Sequence, residues 1–504
     1  MSGIQVWSGA AFFLFCCLTH SIAQPQFPSP KTDFALPAVP EIEVPELPNA
    51  DASPIRRGPD PWTVVRPPKP QEYNQPPAPP PRVLTDWEKC STRSADIEEV
   101  IRSCAVVIQD DEATPDQKVK ALMIRAAINE GAGLSIPALA DLNEVIKRAP
   151  RTPGAYERRG TIWLRERNYD QALKDFNAAI KLQPKSAELH VLRGMAYRSK
   201  SEPAEAMTDF DAAISLNPKY EVAYYERGRT RLEKKEYDLA LKDFREALQV
   251  NPRFALAFYG IGSVYSEQNQ IALAIAAFNE VRKLDPQMAA LVEWQKGLAR
   301  QRAGDCKSAL EDYAAAMAAG LRNAAILKNR GICWRMLGKL DFAILELTQS
   351  IAVFSRDADA FIERGIAKTQ KGDVNSALAD FNEAIRQKPE SAAAYLSRAQ
   401  IRRAKKETKE ALADLDKAIS LQPSAPSYTE RGITYFQLSD FGRALDDFDA
   451  ALKLDQHFPM ALFARGYLLR QSKDSRFSEF DMTEAVRRQP GILQRAKELG
   501  FGAE

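Results

Sequence analysis

A small residue recurs about every 34 residues along most of this 504-residue chain. The interval between successive members is 34 residues, apart from one of 35 and one of 33. The members are Gly160, Gly194, Gly228, Gly262, Gly297, Gly331, Gly365, Ala399, Gly432 and Gly466. A fixed period of this length is typical of repeat architectures, in which each repeat is one supersecondary unit. We therefore expect one repeat array to occupy most of the chain.

Within each period, the other recurring residues have helical spacing. A second small residue follows the first after twelve positions, as Ala172 follows Gly160, and a large apolar residue such as Phe176 comes four positions later. Ala179, three positions after Phe176, keeps these residues on one helical face. A proline such as Pro184 closes most periods, and because the residue before a proline avoids the α region, a helix should end there. Each period is therefore predicted to be a hairpin of two helices.

This residue order resembles the tetratricopeptide repeat, whose signature places an aromatic residue, Gly, an aromatic residue, Ala, Phe, Ala and Pro at these spacings. In one unit the residues are Tyr156, Gly160, Trp163, Ala172, Phe176, Ala179 and Pro184. The resemblance implies an all-α fold, a right-handed α-solenoid (superhelix) of about eleven helix hairpins with N-terminal and C-terminal capping helices. The array covers 119–490, in units 119–152, 153–186, 187–220, 221–254, 255–288, 290–323, 324–357, 358–391, 392–424, 425–458 and 459–490.

The chain ahead of the array has a different composition. Residues 6–18 are apolar, and the following Ser21-Ile22-Ala23 has the small-x-small pattern of signal-peptidase cleavage, so residues 1–23 are predicted to be a signal peptide. The mature protein is then expected to be periplasmic or secreted; an uncleaved membrane anchor and lipidation at Cys17 are the alternatives. Residues 24–85 are rich in proline, which predicts a disordered linker or, alternatively, polyproline II ligand sites.

Helical caps are expected at both ends of the array, over residues 86–118 and 491–504. In an oxidising compartment, Cys90 and Cys104 are predicted to form a disulfide that pins the first cap, and two unpaired core thiols are the alternative. Cys306 and Cys333 fall in adjacent repeats on antiparallel helices. A bridge between this second pair and two reduced core cysteines remain equally open, because sequence does not reveal the Cβ geometry.

Charged residues show a second regularity. In nine units an Arg precedes the repeated small residue, and an Asp or Glu lies sixteen residues after that Arg; Lys296 and Asp312 hold these positions in the sixth unit. Only in the fifth unit do both change, to Ile261 and Ala277. Such covariation indicates a pair across one hairpin, since burying either charge alone is costly. Ten ion pairs within hairpins are predicted, and the alternative is that both residues face water.

In the family that this chain resembles, the first helices line a concave surface that receives a partner's extended peptide or helix. The candidates for this groove are aromatic and aliphatic residues of the fifth to ninth units, with one tyrosine just before them. They are Tyr225, Tyr259, Trp294, Leu298, Ile332, Ile362, Ile366 and Leu396. The alternative is that these side chains pack against neighbouring helices.

The sequence lacks the motifs of a catalytic site. Only His190 and His457 remain after leader removal, and no phosphate-binding loop, nucleophile elbow or paired-cysteine metal motif occurs. We therefore expect no enzyme activity, cofactor or metal. The formal net charge is only +2 and the charges are interspersed, so no nucleic-acid partner is expected.

These features together predict an exported scaffold or adaptor that binds protein partners of unknown identity. Its predicted role is the assembly or maintenance of a cell-envelope or secretion complex, without a stable membrane span after leader cleavage. The alternatives are a structural spacer and a regulatory subunit of an envelope enzyme, neither with a peptide-binding role of its own.

Overall fold

The computed structural model describes residues 85–92, 96–471 and 475–502. The predicted signal peptide lies outside these residues, as does the predicted proline-rich linker except for Thr85. All regular structure in the described ranges is helical. The predicted all-α solenoid of about eleven hairpins is confirmed by the order of these helices.

Two helices, α1 (Asp86–Ser91) and α2 (Ile97–Gln109), precede the array. Eleven hairpins follow, each with a first and a second helix, and α25 (Ile492–Glu498) comes last. The hairpins are α3 (Pro115–Gly131) with α4 (Ser135–Arg148), α5 (Pro153–Arg165) with α6 (Tyr169–Leu182), α7 (Ala187–Ser199) with α8 (Pro203–Leu216), α9 (Glu221–Glu233) with α10 (Tyr237–Val250), α11 (Ala255–Glu267) with α12 (Ile271–Leu284), α13 (Ala289–Arg302) with α14 (Cys306–Ala318), α15 (Ala324–Met336) with α16 (Leu340–Val353), α17 (Ala358–Lys371) with α18 (Val374–Gln387), α19 (Ala392–Ala404) with α20 (Thr408–Leu421), α21 (Ala425–Gln437) with α22 (Phe441–Leu454), and α23 (Pro459–Gln471) with α24 (Ser475–Arg488). A short 3-10 helix, Pro286–Met288, precedes α13.

The first hairpin begins earlier than its predicted start at residue 119. Thr114 and Gln117 form a capping box, in which each side chain accepts a hydrogen bond from the other residue's backbone N–H, and Pro115 fits the first helical turn. These residues therefore start α3 within the segment that was predicted to be a cap. The cap itself consists of two helices, α1 and α2.

The chain divides into two compact units, one ending at Thr230 and the other beginning at Arg231, so the boundary lies within α9. Within each unit, helices that follow one another in the chain pack together, and successive first helices such as α5 and α7, or α21 and α23, are also in contact. Hairpins five to eleven belong entirely to the second unit.

The recurring glycines lie where the two helices of a hairpin cross. A Cβ atom built on Gly160 of α5 would lie 2.8 Å from the ring of Phe176 in α6, and one on Gly365 of α17 would lie 2.7 Å from Phe381 in α18. Both rings are buried. The absence of a side chain on the first helix thus makes room for the ring of the second helix, which explains the glycine period.

The predicted ion pairs lie beside this packed core. In hairpin two, Arg159 donates from Nη2 to Asp175 Oδ1 at 2.6 Å and from Nε to Oδ2 at 2.8 Å. The carboxylate of Asp175 is buried, with 4% of the residue exposed, and this hydrogen bonding raises the pKa of Arg159. A bidentate pair of this kind satisfies both groups, so the alternative that both side chains face water is wrong for this pair.

In nine of the ten predicted pairs both residues belong to the same one of the two compact units. All nine pairs are present, with nitrogen–oxygen distances from 2.6 to 3.8 Å. These pairs are Arg125–Asp141, Arg159–Asp175, Arg193–Asp209, Lys296–Asp312, Arg330–Glu346, Arg364–Asp380, Arg398–Asp414, Arg431–Asp447 and Arg465–Asp481. In hairpin five, Ile261 and Ala277 are buried at the corresponding positions.

The four cysteines of the described chain fall into two different arrangements. The sulfur atoms of Cys90 in α1 and Cys104 in α2 are 2.10 Å apart and the Cα atoms 4.8 Å apart, a geometry that suits the predicted disulfide. Cys306 and Cys333 are free, buried thiols in α14 and α15. A bridge between this second pair and two reduced thiols both stay predictions.

The candidate binding stripe of the first helices

The eight predicted groove residues lie on the same face of the first helices. Each lies three residues before or one residue after the repeated small residue of its unit, as Trp294 and Leu298 flank Gly297. We call this set of positions the stripe. Because the repeated small residue faces the second helix, residues three before and one after it occupy a neighbouring face of the first helix.

Burial separates the eight stripe residues into two groups. Four are buried: Tyr225, Tyr259, Trp294 and Ile362. Of these, Tyr225 has no exposed surface. Their burial favours the alternative that these four side chains pack against neighbouring helices, and contact with a partner stays a prediction. The other four are half-buried; they are Leu298, Ile332, Ile366 and Leu396. For this second group, partner binding stays a prediction.

Tyr259 illustrates the structural role of the buried group. Its hydroxyl oxygen accepts a hydrogen bond of 3.0 Å from Gln295 Nε2, which joins the first helices of hairpins five and six. Its ring lies 5.8 Å from that of Phe278, between centroids. The hydrogen bond joins consecutive hairpins and the ring contact lies within hairpin five, as expected for a tyrosine that buries its ring and keeps its hydroxyl paired.

A set of ion pairs that sequence analysis missed joins successive first helices along the border of the stripe. The four pairs are Glu130–Arg158, Arg198–Glu226, Arg335–Glu363 and Arg403–Glu430, with distances of 2.8, 2.8, 2.9 and 3.2 Å. The sequence does carry their signal, because the partners lie 28 or 27 residues apart. At other junctions the same positions are uncharged, as in Leu164 with Leu192 and Thr369 with Ser397. Opposite charges thus occur there as pairs.

One ion pair inside a hairpin has lysine in place of arginine. In hairpin six, Lys296 Nζ lies 3.8 Å from Asp312, and Arg300 Nη1 lies 2.9 Å from the same carboxylate. Burial raises the pKa of Asp312 to about 6, although both cations act in the opposite direction. Replacement of the bidentate arginine by lysine therefore leaves this carboxylate less well compensated.

The stripe continues into hairpin eleven, where the chain itself covers it. Phe463 and Tyr467 hold the stripe positions around Gly466. The ring of Phe501, three residues beyond α25, lies 6.4 Å from Phe463 and 5.4 Å from Tyr467, edge to face in both cases. The groove prediction did not include these residues, although the position of Phe463 and Tyr467 relative to Gly466 would have identified them.

In the part of the chain that the structure describes, every helix is too short or too polar to cross a membrane. The same residues include no group of three or more His, Cys, Asp or Glu side chains that could hold a metal ion.

Comparisons with known proteins identify the repeat. The model of the Tetratricopeptide repeat family matches residues 164–221, 225–289, 295–360, 362–426 and 429–475. No curated protein matches the sequence. The matched residues make up more than half of the chain.

Several solved structures are similar. A tetratricopeptide repeat protein from Parabacteroides merdae has 18% identity and a TM-score of 0.42, with 50% of this chain and 99% of that chain covered. The APC/C hetero-tetramer Cut9-Hcn1 has 15% identity and a TM-score of 0.43, with 74% and 93% covered. Yeast Tom70 has 14% identity and a TM-score of 0.41, with 77% of this chain and 96% of that chain covered. On the strength of the family match, this chain belongs to the tetratricopeptide repeat family.

Proposed function

We propose that the protein is a scaffold that binds other proteins through the half-buried stripe of hairpins six to nine. This open stripe consists of Leu298, Ile332, Ile366 and Leu396. The observation that carries the proposal is the contact in hairpin eleven, where the same stripe positions hold an apolar segment of the chain itself. An apolar partner segment is therefore the natural ligand of the open stripe.

The chemistry of the open stripe favours an apolar contact over an ionic one. Covering the remaining exposed area of one leucine or isoleucine contributes on the order of 1 kcal/mol. The charges at the border of the stripe are already paired, as in Arg335–Glu363 and Arg403–Glu430, so a partner does not have to supply opposite charges there. The ion pairs still disfavour an uncompensated charge opposite them, which gives the surface some selectivity.

Paired substitutions test the binding surface. Leu298→Ala with Ile366→Ala shortens two residues of the open stripe. A matched control, Phe342→Ala with Leu345→Ala, removes two exposed apolar side chains from the second helix α16. After crosslinking in the native cell and affinity capture, a specific partner should be lost with the stripe variant and retained with the control. Equal recovery of every partner by both variants would reject the surface.

We also propose that the protein is exported and works in the assembly or maintenance of a cell-envelope or secretion complex. The apolar run and Ser21-Ile22-Ala23 support export, and a Cys90–Cys104 disulfide would persist in the oxidising compartment that export reaches. Mass spectrometry of the native protein should find a mature start at Gln24 and a mass increase on reduction. A chain that retains residues 1–23 in the membrane fraction would support the anchored alternative instead.

A further inference from the structure

The chain after the last hairpin folds back over the stripe. Helix α25 packs against α23, the first helix of hairpin eleven. At Gly500 the backbone has a φ of 97°, a left-handed conformation that favours glycine, and the Phe501 N–H donates to the Ala496 carbonyl at 3.0 Å. This turn ends the helix and directs Phe501 towards the stripe.

Phe501 fills an aromatic pocket, which we define as Phe436, Phe463 and Tyr467. Its ring is stacked on that of Phe436, with centroids 4.2 Å apart and an interplanar angle of 15°. Tyr467 and Phe463 meet the ring edge to face, and Phe501 is fully buried. A hydrogen bond adds to this aromatic contact, because Gln437 Nε2 donates to the Leu499 carbonyl oxygen at 3.2 Å.

The surface beneath α25 is incompletely filled. A cavity of about 200 Å³ lies between the segment, represented by Ile492 and Leu499, and the residues Gln400, Thr429 and Glu430 of hairpins nine and ten. The aromatic pocket thus fixes one end of the segment, while the cavity beside Ile492 and Leu499 leaves part of the surface of hairpins nine and ten uncovered.

We propose that residues 492–502 are a displaceable occupant of the stripe, and that hairpins ten and eleven bind a partner segment of the same chemistry in their place. Such a segment has apolar residues on one short helix and an aromatic residue just after the helix end. The inference rests on the proposed function, since it names the partner chemistry of a stripe that binds proteins. The internal segment then competes with the partner and lowers its apparent affinity.

A peptide binding experiment tests this competition in the full-length chain. The probe is a fluorescent peptide with the sequence of residues 490–504, and its binding is followed by fluorescence polarisation. The Phe501→Ala chain, whose internal competitor is weakened, should bind the peptide at least about ten-fold more tightly than the wild-type chain. A control peptide with Phe501→Ala should bind neither chain, and adding Phe436→Ala to the Phe501→Ala chain should remove the gain.

The proposal is overturned if the Phe501→Ala chain keeps its helix content and binds no peptide, or if it binds the control peptide equally well. Hydrogen exchange of the wild-type chain gives an independent check that needs no variant. Amides of residues 496–501 should exchange at least about ten-fold faster than the slowest amides of α23, because the segment opens locally. Equal exchange rates would make the segment a fixed cap. Since the peptide comes from this chain, neither result depends on whether hairpins six to nine bind a partner.

Discussion

Hairpins six to nine and hairpins ten and eleven have similar helix crossings in their cores, but their stripes differ in whether another part of the chain covers them. The Gly365 to Phe381 contact of hairpin eight has its equivalent between Gly432 and Phe448 of hairpin ten. On the stripe, Ile366 keeps part of its surface exposed, whereas Phe463 and Tyr467 contact Phe501. The comparison indicates that the hairpin core is set by the repeat itself, while the residues on the stripe and their exposure vary from hairpin to hairpin.

The largest expected effect concerns this shared core. Phe381→Ala and Phe448→Ala each remove a buried ring that fills a helix crossing, and each should lower the free energy of unfolding by about 3–5 kcal/mol. Urea unfolding followed by circular dichroism gives both values. If one substitution is nearly neutral while the other is severe, the two regions do not share a core and the comparison fails.

A second prediction concerns the ion pair of hairpin ten. Arg431 donates to the buried Asp447 at 2.7 Å and to the exposed Asp416, also at 2.7 Å. Asp447→Asn should destabilise the protein by about 2 kcal/mol, because it leaves a half-buried guanidinium undercompensated. Asp416→Asn is the matched control on the same arginine and should cost under about 0.5 kcal/mol. Comparable losses for the two variants would contradict the structural role of the buried pair.

A third prediction sharpens the difference between the two parts of the stripe. Tyr467→Ala removes a ring packed against Phe436 and Phe501, and should cost about 2 kcal/mol of stability. Ile366→Ala removes a half-buried side chain, and should cost about 1 kcal/mol. Thermal unfolding of both variants supplies the comparison. A larger loss for Ile366→Ala would mean that the open stripe serves packing more than binding.

The smallest effect is a pH dependence in hairpin six. Because burial raises the pKa of Asp312 to about 6, the folded state holds this proton more tightly than the unfolded chain does. The stability that Asp312 contributes is therefore full below its ordinary pKa of 3.8 and is lost as the pH rises through about 6. Asp312→Asn does not undergo this loss.

The melting temperature of the Asp312→Asn variant relative to wild type should therefore rise by about 1 °C between pH 4.5 and pH 7. Differential scanning calorimetry at the two pH values measures this shift. A relative decrease over the same range would mean that Arg300 and Lys296 outweigh the burial of the carboxylate.

The hairpins and their ion pairs were predictable because both are periodic. Gly160 and Phe176 mark a helix crossing, and the joint change to Ile261 and Ala277 identified the charge pair. Burial on the stripe was not predicted, and position alone does not fix it: the four buried residues all lie three before the repeated small residue, but half-buried Leu396 does too. Burial at one position depends on side chains from several helices, which a single repeat does not encode.

The contact of Phe501 with the stripe could not be predicted from the 34-residue period for a different reason. Residues 492–502 follow the last unit, so no earlier repeat provides a pattern for them. Their amphipathic character predicted a capping helix, but the return of the chain after α25 depends on the left-handed turn at Gly500. A turn of this kind sets direction locally and leaves no hydrophobic periodicity in the sequence.

Site-specific photocrosslinking in the native cell tests the central claim most directly. A benzophenone side chain replaces Ile366 in the open stripe in one chain, and Tyr467 in the covered stripe in another. Position 366 should form crosslinks to a second protein, whereas position 467 should form crosslinks mainly within the chain, to residues 492–502. Crosslinks to a second protein from position 467 alone, with none from position 366, would contradict the assignment of the open stripe as the binding surface.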